Sequence, residues 1–168
     1  MQEQSEQKSQ QKRPIGLWVL FILTAISTGL SLLTALANLL QGPPNQAAIK
    51  QMKVEMAKSM KIAKEVKSDF LIEFIEKMSV ISDATIQNFT LFNGLSFIFY
   101  AVGMAGAVLM FRGVKLGFHL YISYSLLVLI QYYFIVDASQ VPWVVLLANG
   151  LVSLLFVFLY SRHLNWMK

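Results

Sequence analysis

Four stretches of this chain, residues 15–40, 89–111, 116–136 and 138–161, contain no Asp, Glu, Lys or Arg, and each has at least 21 residues. A hydrocarbon core about 30 Å thick is crossed by about 20 apolar residues of helix, each rising about 1.5 Å. All four stretches reach that length. Only 14% of the residues are charged, against about 25% in ordinary soluble domains. The expected fold is an all-α integral membrane protein: a four-transmembrane-helix bundle with spans at 14–40, 89–111, 116–136 and 141–161. A long helical extracytoplasmic segment, 41–88, joins the first two.

Punctuation supports these bounds. Residues 1–13 hold charge, Gln and Ser with no apolar residue after Met1, which predicts a disordered cytoplasmic tail. Pro14 fits the start of a helix, where its missing N–H is not needed. QGPPN at 41–45 ends the first span, because Gly42 and two prolines cannot continue a helix. Arg112 to Lys115 is a turn short enough to join antiparallel neighbours. Trp18, Trp143, Trp166 and Tyr132-Tyr133 fall near predicted helix ends, where amphipathic rings settle at the headgroups. Lys12 and Arg13 precede an apolar run that reaches Ala35-Leu36-Ala37, an A-x-A pattern. That run is about 20 residues, longer than the roughly 7–15 of a signal core, so an uncleaved helix is expected.

Orientation follows from the cations. Lys12, Arg13, Arg112, Lys115, Arg162 and Lys168 flank spans on one side of a four-pass chain, whereas QGPPN and DASQ on the other carry none. Cytoplasmic flanks collect Lys and Arg, which places both termini, and a 162–168 tail, in the cytoplasm. The 41–88 segment opposes this with seven lysines, although six acids accompany them.

Within 41–88, Ile49, Met52, Met56, Ser59, Ala63, Val66 and Phe70 are spaced 3-4-3-4-3-4, which keeps a seam on one side of a helix. Asn45 fits an N-cap. A single helix over 45–88 would be roughly 66 Å long, so a break is expected, at Ser68-Asp69 or within Ser79 to Asp83. Three uses remain open: a self-packed hairpin, a partner-binding face on Ile49, Met52, Met56, Met60, Ala63, Val66 and Phe70, and a membrane-lying helix.

In the first span Thr24, Thr28, Ser31, Ala35 and Asn38 recur at helical spacing, and Gly103 with Ala107 forms a small-xxx-small pair in the second. Without a hydrophobic gain between helices in lipid, small and hydroxyl-bearing faces are where backbones approach and bond. Hydroxyls bonded back to their own helix are the alternative. Gln131 and Asn149 are the strongest polar groups in the last two spans and are expected to bond each other, or with the hydroxyls to line a polar path.

Chemistry is sparse. Cysteine is absent, and His119 and His163 lie 44 residues apart, so neither disulfide nor thiolate metal site can form and no metal constellation is legible. No phosphate loop, zinc helix or nucleophile elbow occurs. The expectation is no catalytic residue, no metal and no cofactor. The lipid bilayer, a second copy or other membrane proteins are the expected partners, and nucleic acid is not, because the +5 charge is explained by topology.

Arg13-Pro14, Lys115, Gly117-Phe118, Tyr121, Leu159-Tyr160 and Asn165 resemble a pattern of small uncharacterised four-transmembrane-helix membrane proteins of Bacteroidota. The resemblance covers the four helices and not the 45–88 insert. It implies a cytoplasmic (inner) membrane address and no assigned activity. The functional expectation is a non-enzymatic protein acting by association, as a homo-oligomer or small subunit of an envelope complex. The alternative is a small transporter, channel or lipid-handling protein using Gln131, Asn149 and the first-span hydroxyls.

Overall fold

The computed structural model describes residues 13–168; the predicted 1–13 tail, except Arg13, lies outside them. The described residues form six α-helices and no strand. Helix α1, Ile15–Gln41, follows Pro14 and stops at Gly42, whose φ of +80° suits glycine. The Gly42 N–H donates to the Asn38 carbonyl at 2.9 Å.

Helices α2, Gln46–Glu65, and α3, Asp69–Gln87, make a hairpin. Asn45 caps α2 by accepting from the Ala48 N–H at 2.8 Å. The break falls at the first expected hinge. Lys67 adopts φ +53°, its N–H donates to the Lys64 carbonyl, and the Ser68 N–H donates to the Ala63 carbonyl. Those bonds close a Schellman motif. Ser68 then caps α3, accepting from the Leu71 N–H at 3.3 Å. The second expected hinge, Ser79 to Asp83, stays helical because its hydroxyl and carboxylate turn outward to α2: Ser82 Oγ reaches Met52 Sδ at 2.9 Å and Lys53 Nζ lies 3.5 Å from Asp83. Exposed ion pairs contribute little, so buried Ala63 and the half-buried Met56, Met60 and Ile75 carry the contact between the arms.

Asn88 alone separates α3 from α4, Phe89–Phe111, and helical bonds cross it in both directions, Asn88 N–H to Ala84 and Phe92 N–H to the Asn88 carbonyl. Helix α4 is the centre of the bundle, with α1 on one side and α5, Leu116–Ile130, on another. Glycine makes the second approach possible. A Cβ on Gly117 would lie 2.5 Å from the Gly106 carbonyl oxygen, and one on Gly103 would meet the Tyr124 ring at 2.7 Å. Gly103 and Ala107 are both buried, as the small-residue pair predicts.

The third expected span is altered. Helix α5 ends at Ile130, and Gln131–Phe134 continue as a 3₁₀ turn, where buried Gln131 bonds sideways to α4. A second short turn, Ala138–Gln140, leads to α6, Trp143–Ser161. By length and composition α1, α4 and α6 can cross a membrane.

The cations of the turns and tail gather at one end. Arg13 lies over the Phe111 ring at 4.4 Å, the backbone N–H of Lys115 donates to the Lys168 carbonyl, and the Lys168 N–H returns to the Gly113 carbonyl at 2.6 Å. Beneath them Leu17, Leu20, Met110, Tyr121, Tyr160 and Met167 form the core. Helix α6 joins that core only through its last turns, with Phe156, Val157 and Leu159 against it. Its first turn instead meets the hairpin, Trp143 lying 6.5 Å from Phe70.

Two outcomes follow. Gly117→Ala forces backbone apart and lowers the unfolding free energy in detergent by about 1–3 kcal/mol, while Gly103→Ala costs less because an aromatic ring can shift. Lys67→Gly relieves a left-handed residue that costs roughly 1–2 kcal/mol, so amide exchange across α2 and α3 slows.

Candidate functional site: a polar groove beside α4

The sequence-predicted stripe of α1 faces the bundle, and its hydroxyls do both things expected of them. Thr28 Oγ1 donates back to the Thr24 carbonyl at 2.7 Å, while Thr24 Oγ1 accepts across the bundle from the Tyr160 hydroxyl at 2.9 Å. This clasp closes the interior near the basic end. Rings lead away from it in sequence, Tyr160 to Tyr121, Tyr124 and Tyr100, with centroids 5.1, 5.6 and 5.9 Å apart.

They end at an open groove of about 280 Å³ between α1 and α4. Ser31, Thr34, Ala35 and Asn38 form the α1 wall, and Asn93, Ser96 and Tyr100 the α4 wall. Asn38 Nδ2 donates to Asn93 Oδ1 at 2.9 Å, and Asn93 Nδ2 donates to the Phe89 carbonyl at 2.9 Å. Ser96 Oγ donates to the Phe92 carbonyl at 2.8 Å and accepts from Gln131 Nε2, which also reaches the Phe92 carbonyl at 3.3 Å. Gln131 is 4% exposed, so its amide is held where hydrogen bonds are not weakened by water.

The expected bond between Gln131 and Asn149 does not form. Gln131 is turned into α4, and α6, meeting the bundle only at its far end, leaves Asn149 exposed without a hydrogen bond. The two residues are not brought together; of the residues expected to form a polar path, Ser31 and Ala35 line the groove and Gln131 bonds to its Ser96 wall, while Asn149 lies away from it.

The candidate partner face on α2 is largely consumed by α3. Ala63 is buried, Ile49, Met56 and Met60 are half-buried, and Met52 takes the Ser82 hydroxyl. Met56 and Met60 line a shallow groove of about 300 Å³ with Lys53, Ile75 and Asp83. Val66 stays exposed at the hairpin tip, and Phe70 stacks on Phe74.

Sequence reading missed Asn93, Ser96 and Tyr160. Asn93 and Ser96 were legible as the polar pair three residues apart inside an uncharged stretch; Tyr160 stands in the sequence only within the Leu159-Tyr160 match of the resemblance, with no role attached.

Among the described residues no group of three or more His, Cys, Asp or Glu is placed to hold a metal ion. His119 Nδ1 lies 3.3 Å from the Lys115 carbonyl, and His163 packs on Gly16. The groove presents amides and hydroxyls, so what it can do is hold a neutral hydrogen-bonding group. The chain matches no protein-family model, no curated protein and no solved structure.

The Gln131 clasp is measurable. A double-mutant cycle of Gln131→Leu and Ser96→Ala, read by unfolding in detergent, gives a coupling of about 0.6 kcal/mol, rising to about 1.7 at most.

Proposed function

We propose that the chain is a non-enzymatic four-span protein of a bacterial cytoplasmic membrane, with both termini cytoplasmic, that acts by associating with a second copy of itself through α6. The observation that carries this reading is Asn149. It lies seven residues into an apolar helix that packs on the core through its last turns and on the hairpin through its first, and between them its exposed side chain has no partner. An amide in hydrocarbon costs several kcal/mol without a hydrogen bond. Asn is both donor and acceptor, so two copies related by a two-fold axis satisfy each other. Gly150, with open space at its Cβ position, and Ser153, one turn on, allow close approach.

The fourth span rests on length. Fifteen α-helical residues at about 1.5 Å and four 3₁₀ residues at about 2.0 Å give roughly 30 Å, the hydrocarbon thickness. Clustering of Arg13, Arg112, Lys115, Arg162 and Lys168 at one end supports cytoplasmic termini.

A second reading, a small transporter, channel or lipid-handling protein, is favoured by the groove at Asn38, Asn93 and Ser96, the last held by Gln131. Gln131→Leu separates the two: abolished flux in vesicles with assembly intact belongs to transport.

Because the chain has no native cysteine, Asn149→Cys gives one thiol. Mild oxidation in native membranes yields a disulfide-linked dimer, and Asn149→Leu shifts the detergent-solubilised protein toward monomer. A monomer that never crosslinks at 149 defeats the reading.

A further inference from the structure

We infer that the groove between α1 and α4 binds the ester level of a neutral glycerolipid, one with two acyl ester carbonyls and a free hydroxyl, as in a diacylglycerol. The inference goes beyond self-association and does not depend on it.

The argument starts from bonds left over. Asn38 gives one of its two N–H groups to Asn93, and Asn93 gives one to Phe89. The second side-chain N–H of each amide, Asn38 Oδ1 and the hydroxyls of Ser31 and Tyr100 have no hydrogen-bond partner in the chain. Four donors and an acceptor thus belong to residues that line one space. Unpaired groups at that depth cost free energy that an occupant recovers.

Their depth selects the occupant. Asn38 lies three residues before the end of α1 and Asn93 four after the start of α4, so both sit about 5–6 Å inside the helix ends. Lipid ester groups lie just inside that boundary. Leu30, 61% exposed, and Phe92 flank the polar wall with apolar surface on which acyl chains can lie.

Charge selects further. No cation or acid lines the groove, so nothing there pairs a phosphate or balances an ammonium. Two ester carbonyls match the spare amide N–H groups, and a free hydroxyl matches the Asn38 oxygen. About 280 Å³ is slightly below the 300–1,000 Å³ typical of sites that enclose a whole small ligand. It suits one part of a larger molecule whose chains stay in the bilayer.

The test uses the full-length protein in nanodiscs of phosphatidylcholine with a photoactivatable diacylglycerol. Adducts map to residues 30–38 and 92–100, and unlabelled diacylglycerol competes whereas added phosphatidylcholine or phosphatidic acid does not. Ser31→Leu breaks no bond within the chain and fills the groove; it keeps the wild-type melting temperature and loses labelling about tenfold. Asn93→Leu loses it as well. Labelling unchanged by Ser31→Leu, adducts elsewhere on the chain, or equal competition by phosphatidylcholine each overturn the inference. The Asn149→Leu variant, labelled like wild type, keeps this result separate from the dimer.

Discussion

A polar side chain in hydrocarbon has no water to bond, so it must find another protein group, and that constraint arranges the helices of this chain. Thr24 finds Tyr160, Asn38 finds Asn93, and Gln131 finds Ser96. Each pair ties a different helix to its neighbour, at three points along the bundle. Apolar surface alone cannot choose among rotations of greasy helices in lipid, because every face is equally welcome there. The neutral bonds make that choice without burying a charge.

Close approach around α4 lets those short side chains meet. Gly106 and Gly117 bring two backbones together, and Gly103 seats the Tyr124 ring. On the other side Thr28 and Met104 touch between the two polar clasps. Helix α6 stands outside this system except at Tyr160, and its first turn leans on the hairpin at Phe70 rather than on α4. The same geometry leaves a groove with spare hydrogen bonds on one side and an exposed amide on the other, and the proposed functions use these two features.

Much of this was legible from residue types and spacing. Uncharged length marks α1, α4 and α6 to within about two residues, since lipid solvation leaves a compositional record at every position. The Asn45 cap and the break at Ser68 were readable because short polar side chains compete locally for backbone groups. Partner identity was not readable. Gln131 and Asn149 are equivalent as a list of amides, and only the 3₁₀ turn after Ile130, which aims Gln131 at α4, separates them. The α2 seam was correctly spaced, but spacing cannot say whether the covering surface is α3 or another molecule. Asn93 and Ser96 leave no mark on a span recognised by its lack of charge, because a neutral amide and a hydroxyl do not interrupt such a run.

The account as a whole requires that residues 116–136, α-helical for only part of their length, carry the chain from one face of the membrane to the other. With no native cysteine, Lys115→Cys and Asp137→Cys can be probed singly in intact cells with a membrane-impermeant thiol reagent. The account predicts labelling at position 137 and none at 115 until the cells are opened. Labelling of both positions from outside, or of neither, contradicts it.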